Sequence, residues 1–156
     1  MFNYAGKPWL TQYWTRQLID SVYSGISPQK GYSGDEDQGL MGSLAVLLKM
    51  GIFSTNGGTS EKPFYEISSP IFSKITIHLN QKYYPGKEFV IRTRNNGPKN
   101  FYIQSARLNG KDWQQPWLWH SLLVKGGELD LEMGSQPNTA WGSDENKAPP
   151  SMSTEK

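Results

Sequence analysis

Between Pro63 and Trp141 the chain is written in short alternating runs separated by turn residues. Lys74-Ile75-Thr76-Ile77-His78-Leu79 puts Ile75, Ile77 and Leu79 on one side, the period of a half-buried strand. Pro85-Gly86 turns the chain into Glu88-Phe89-Val90-Ile91-Arg92-Thr93, and Asn95-Asn96-Gly97-Pro98 turns it again into Phe101 to Ala106. Asn109-Gly110 carries the hairpin signal, because both residues tolerate positive φ. Gly126-Gly127 precedes a further alternating run, Leu129-Asp130-Leu131-Glu132-Met133. Evenly spaced strands with such turns predict a small antiparallel, sandwich-like β domain.

The segment before it reads as helical. Pro8 suits a first turn, Leu10, Trp14, Leu18 and Val22 follow at helical spacing, and Gly25 is a stop. A loop over Ile26–Gly34 leads to a second helix from about Asp37 to Met50, with Gly51 past its end. Leu40, Leu44, Leu47 and Leu48 share one face, and Ala45 and Val46 widen it. Two helices cannot cover so broad an apolar surface, so Leu10, Trp14 and parts of Leu44 to Leu48 are expected to be more accessible than core residues. From Ser143 the chain is polar, with Pro149-Pro150 and no periodic apolar residues, which predicts a disordered tail. The expected divisions are 1–53 (helical), 54–142 (β domain) and 143–156 (tail).

Composition narrows the function classes. The 156 residues carry a net charge of +2 with no basic stripe, which argues against nucleic acid. There are no cysteines, so disulfides and thiolate chemistry are excluded. No apolar run is long enough to span a membrane, and no signal peptide opens the chain.

Chemistry concentrates in Gly34-Asp35-Glu36-Asp37-Gln38-Gly39, three acidic residues between glycines ahead of an apolar helix. Exposed carboxylates on a firm support suit general acid/base work. The competing reading is a helix cap, worth roughly 0.3–1 kcal/mol. A calcium loop of the EF-hand type is excluded, because position twelve from Asp35 is Val46 rather than a glutamate. His78 and His120 are too far apart in sequence to make a metal motif. His78 is expected on the outer face of its strand, and His120 packed or hydrogen-bonded. Trp9, Tyr13 and Trp14 could stack on a sugar, but their helical spacing favours packing.

Several ordered blocks resemble glycoside hydrolase family 92, the calcium-dependent exo-acting α-mannosidases. They are Asn3-Tyr4-Ala5-Gly6-Lys7-Pro8-Trp9, the acidic loop, Tyr65-Glu66-Ile67 with Ser69-Pro70-Ile71-Phe72, Tyr102-Ile103-Gln104-Ser105, Leu108-Asn109-Gly110-Lys111, and Pro137-Asn138 with Trp141-Gly142. The similarity runs from Phe2 to Gly142 and is to the C-terminal portion of the family. It implies an α+β chain: a helical hairpin from an (α/α)6 barrel followed by the β domain. It also implies removal of terminal α-linked mannose, α-1,2 in particular, with inversion and a role in N-glycan degradation. By resemblance the location is secreted or periplasmic.

Inverting glycosidases hold acid and base roughly 6.5–9.5 Å apart, with the attacking water between base and sugar. In an extended loop the Cα atoms of Asp35 and Asp37 are about 6.6 Å apart on one segment. They can flank one water from one side of a sugar but cannot readily straddle a glycosidic bond. The family places this loop on the base side, so Asp37 is expected as the general base and Asp35 as the carboxylate that positions the water. Glu36 is expected to point away. The family's general acid and its Asn-Glu-Pro calcium segment have no counterpart here, so calcium ligands are expected outside the chain. The partners implied are mannose-containing glycans and the N-terminal sandwich and remaining barrel. Met41-Gly42-Ser43-Leu44 departs from the family's commoner pattern. Two other readings stay open: a non-catalytic carbohydrate-binding or scaffold β domain, binding sugar through Trp113, Trp117 or Trp119 without Asp35 or Asp37, and a remnant without activity.

Overall fold

The computed structural model describes residues 2–25, 27, 29 and 40–151, with Leu40 described through its backbone. Helix α1 spans Pro8–Val22 and α2 spans Leu40–Met50. Eight strands follow among the described residues: β1 (Ile52–Phe53), β2 (Phe64–Ile67), β3 (Lys74–His78), β4 (Glu88–Arg94), β5 (Tyr102–Leu108), β6 (Lys111–Asp112), β7 (Trp117–Trp119) and β8 (Gly127–Gly134). A one-turn helix α3 (His120–Leu123) joins β7 to β8, and a 3-10 turn covers Glu145–Lys147.

The strands form a three-stranded sheet, β1-β2-β7, and a five-stranded sheet, β3-β4-β8-β5-β6. One apolar cluster joins them: Ile52, Ile67 and Leu118 of the smaller sheet meet Phe89, Ile91, Ile103, Leu129 and Leu131 of the larger. The sandwich-like arrangement therefore matches the pattern of alternation, but the purely antiparallel expectation needs correcting. β4 and β8 run parallel, with Ile91 opposite Leu129 and Thr93 opposite Leu131. Parallel neighbours need a long crossover, and the excursion through β5, β6, β7 and α3 supplies one.

Turn chemistry behaves as written. Asn109 and Gly110 take φ values of 51° and 75°, closing the β5–β6 hairpin, and the Asn109 side chain accepts the Glu128 backbone N–H at 2.8 Å. His78 is exposed at the edge of the larger sheet, as expected, opposite Glu88. The tail does not follow expectation over its described part. Asp144 caps the 3-10 turn by accepting from the Asn146 backbone, and Trp117 Nε1 donates to the Lys147 carbonyl at 2.9 Å. Pro149 is buried. Polar composition hid an anchor that comes from a distant tryptophan. Residues 152–156 lie outside the described residues.

The helices pack on each other through Ile19 of α1, Tyr23 at its C-terminal cap, and Ala45 and Leu48 of α2. Helix α2 ends at Gly51, whose φ of 77° admits glycine readily and whose surface lies against the Pro70 ring. A side chain there would collide with that ring. Ser68 N–H donates to the Gly51 carbonyl at 2.8 Å and Ile71 N–H to the Lys49 carbonyl at 3.0 Å, so the helix end is stitched to the β domain.

Candidate functional site

Asp35, Glu36 and Asp37 lie outside the described residues, as does the whole Gly34–Gly39 loop. What the structure gives is the frame on either side. Helix α1 terminates at Tyr23, which is buried, and its backbone carbonyl accepts Lys49 Nζ at 2.9 Å. The Tyr23 hydroxyl donates to Met41 Sδ at 3.9 Å, one residue into α2. Tyr23 and Met41 are thus held on one packed cluster.

Below this frame lies a polar hub that the sequence did not announce. Arg16, only 7% exposed, donates from Nε to the Ser69 carbonyl at 3.2 Å and the Ser69 hydroxyl at 2.9 Å. Its Nη2 donates to the Pro70 carbonyl and to Asn96 Oδ1, the latter at 2.7 Å. Ser69 Oγ donates in turn to the Phe101 carbonyl, and Asn96 Nδ2 donates to the Pro70 carbonyl. Burial pushes the Arg16 guanidinium below its ordinary value, and Asp20 one turn on opposes that shift. Gln12, on the same face, accepts the Ile103 backbone N–H at 2.9 Å. The Ser69-Pro70 block is therefore the point where α1, α2 and the larger sheet are tied together. A polar residue at each of positions 12, 15 and 16, one helical face, was the available signal.

A second buried acid stands in β2. Glu66 is 4% exposed, and its Oε1 has no hydrogen-bond partner among the described residues. Burial raises its carboxyl above the ordinary value, while hydrogen bonding by Thr55 and Asn3 acts the other way. Asn3 uses its amide to donate to the Ile67 and Pro116 carbonyls, pinning the N-terminal segment beneath the smaller sheet.

The tryptophans proposed for sugar stacking separate. Trp113 is half-buried and donates to the Trp117 carbonyl at 3.1 Å, and Trp117 is buried with its indole spent on Lys147. Trp119, half-buried like Trp113, lines with Trp117 an open groove of about 800 Å³ beside Glu61, Lys62, Glu145 and Pro150. On α1, Trp9 and Tyr13 are half-buried, and Tyr13 sits edge-on to Trp14 at 5.2 Å. His120 Nδ1 lies 3.1 Å from the Tyr65 hydroxyl, a hydrogen-bonded histidine as expected. Among the described residues no group of three or more His, Cys, Asp or Glu could hold a metal ion. No helix among the described residues is long and apolar enough to cross a membrane.

Residues 1–135 match the model of the glycosyl hydrolase family 92 catalytic domain. An inverting mannosidase of that family from Bacteroides thetaiotaomicron superposes with a TM-score of 0.85 at 40% identity, over 98% of this chain and 20% of its own. A family 92 α-mannosidase of the same organism, solved with mannoimidazole bound, gives a TM-score of 0.86 at 27% identity, over 97% of this chain and 19% of its own. A protein of Arthroderma benhamiae described as an uncharacterized secreted glycosidase is 33% identical over 154 residues, 97% of this chain and 19% of that protein. The chain spans about a fifth of the length of the relatives it matches. With the family model covering most of its residues, this chain belongs to glycosyl hydrolase family 92.

Proposed function

We propose that this chain is the C-terminal part of an exo-acting, inverting α-mannosidase and contributes the base side of its active site. The observation that carries the reading is likeness along almost the whole chain, at 40% identity, to an enzyme described as an inverting mannosidase. The junction of the two helices supports it, since Tyr23, before the segment that carries the acidic residues, is bonded to Met41 and Lys49 after it.

In this reading Asp37 takes a proton from water as the water's oxygen attacks the anomeric carbon. The bond to the leaving oxygen breaks on the opposite face, where an acid from elsewhere in the enzyme protonates it. Asp35 orients the water, and its nearby charge raises the basicity of its neighbour. The substrate class is terminal α-mannose, α-1,2-linked, on glycans; the enzyme is secreted or periplasmic, and the helical pair belongs to an (α/α)6 barrel. Without the acid the isolated chain should be nearly inactive, since general acid catalysis contributes ~10²–10⁴-fold.

The test is mannose release from an α-1,2-mannobiose in the presence of calcium, by this chain alone and by a form joined to the remainder of the enzyme. Proton NMR of the first product should show β-mannose in the joined form. In that form Asp37→Asn should cost ~10²–10⁴-fold in kcat, Asp35→Asn less, and Glu36→Gln little. Initial α-mannose, full turnover by the isolated chain, or Glu36→Gln as the worst of the three would each overturn a part of the reading.

A further inference from the structure

The tryptophans of the β domain do not share one role. Trp141 donates its indole N–H to the Trp113 carbonyl at 2.9 Å, Trp113 to the Trp117 carbonyl at 3.1 Å, and Trp117 to the Lys147 carbonyl at 2.9 Å. The indole N–H of Trp119 has no partner among the described residues. Its ring is nonetheless held in place, at right angles to Trp117 at 4.7 Å and to Phe64 at 6.2 Å. The first three indoles build the domain, and the fourth is presented to the groove beside it.

Every side of that groove is fixed. β7, an edge strand of the smaller sheet, supplies Trp117 and Trp119. Residues 60–62 form a second side, and the His120 N–H holds the end of that segment through the Pro63 carbonyl at 2.8 Å. The 3-10 turn and Pro149-Pro150 form a third, tied to β7 by the Trp117–Lys147 bond. A second hollow of about 370 Å³ shares Glu61, Lys62 and Trp119 with the first and reaches His120 and Ser121. Both are of the size that holds small ligands, about 300–1,000 Å³. No residue of α1 or α2 lines either one.

The lining selects among ligands. Glu61, Lys62 and Glu145 are exposed and make no hydrogen bond or ion pair among the described residues. Carboxylates accept from hydroxyls, an ammonium and an indole N–H donate to hydroxyl oxygens, and an aromatic ring covers C–H surface. A sugar offers all of these partners within one ring. The centre of a protein interface is depleted of Lys and Glu, and two carboxylates beside one ammonium oppose a phosphate backbone.

We propose that the Trp119 groove is a non-catalytic oligosaccharide-binding site that holds a mannose-containing glycan apart from the acidic segment. The choice of mannose rests on the mannosidase reading, whereas the site itself rests on Trp119 and its neighbours.

The test titrates an α-1,2-linked mannotriose into this chain and follows the indole N–H resonances by proton–nitrogen NMR. The Trp119 resonance should shift and saturate while that of Trp14 stays in place. By calorimetry, Trp119→Ala should weaken binding about 10-fold. Glu145→Ala, on the tail turn, should weaken it about 3-fold with an unchanged urea midpoint. Trp14→Ser, which alters an exposed tryptophan of α1, should bind like the parent. In a form joined to the remainder of the enzyme, Trp119→Ala should raise KM for a mannose-rich glycan about 10-fold at unchanged kcat. Turnover of a small aryl α-mannoside should not change, as expected for binding remote from the reacting atoms. No saturable shift, parent-like affinity of both Trp119→Ala and Glu145→Ala, or binding that the joined form loses would each overturn the proposal. Trp119-dependent binding of a galactose trisaccharide in place of mannotriose would overturn the assignment to mannose. Trp119-dependent binding of mannotriose by a joined form that releases no mannose would support the groove and overturn the catalytic reading instead.

Discussion

In β8 the apolar side chains Leu129, Leu131 and Met133 face the core while Glu128, Asp130 and Glu132 alternate outward. In α1 the polar side chains Gln12, Thr15 and Arg16 are buried while Trp14 and Leu18 face out. Both elements are amphipathic, and they are mounted in opposite senses. The strand belongs to a region that closes its own core. The helix is held largely by hydrogen bonds, which are directional and worth little net, and the apolar surface of Trp14 and Leu18 stays in solvent. The difference teaches that the β domain closes its own core, while the helical pair leaves part of its apolar surface in solvent.

The largest test of that contrast removes apolar volume from each region in turn. Leu129→Ala should destabilise the isolated chain by about 2–5 kcal/mol, because the fully buried leucine leaves a cavity. Leu18→Ala should change it by no more than about 0.5 kcal/mol. Urea unfolding of the two variants decides the matter, and equal losses would erase the distinction between the regions.

Next in size is the clamp. Arg16→Met keeps much of the side chain's length and removes its charge-assisted bonds, so a loss of about 1.5–3 kcal/mol is expected. Amide exchange should accelerate selectively in α1, with β4 and β8 unchanged. Uniform acceleration would mean that Arg16 supports the whole domain rather than the helix.

The smallest effect is one of pH. The Glu66 carboxyl is raised by burial, so the folded chain binds its proton more tightly than the unfolded chain does. Its contribution is fully present below the unfolded pKa of ~4.3 and is lost as pH rises through the higher folded value. Relative to Glu66→Gln, the parent chain should therefore lose thermal stability as pH rises across that window. Parallel melting profiles for the two would show that Glu66 titrates in the folded chain as it does in water.

What could be read in the sequence was local. Asn109-Gly110 announces a hairpin because two adjacent residues determine it, and Leu129 to Met133 announces a strand with one buried side. The exposure of Trp14 and Val46 followed from having more apolar helix surface than partners, although Ala45 and Leu48 found cover in Ile19 and Tyr23. What was not legible depends on distant chain. The parallel β4–β8 pair is set by a crossover, the order after Ser143 by Trp117, and the burial of Arg16 by carbonyls and an amide of residues 69, 70 and 96. The acidic loop, the plainest chemical signal in the chain, lies outside the described residues.

The Arg16 clamp also sets an order of events. Its partners lie 53, 54 and 80 positions further along the chain, and the Gln12–Ile103 bond spans 91. A polypeptide made from its N-terminus presents α1 well before Ser69, Asn96 or Ile103 exists. During that interval the stripe of Leu10, Trp14 and Leu18 can engage whatever apolar helix is within reach, while the polar side has nothing to bind. Contacts of such span are slow to form, so the polar side of α1 waits for its own β domain, which arrives afterwards as a bolt driven home behind it.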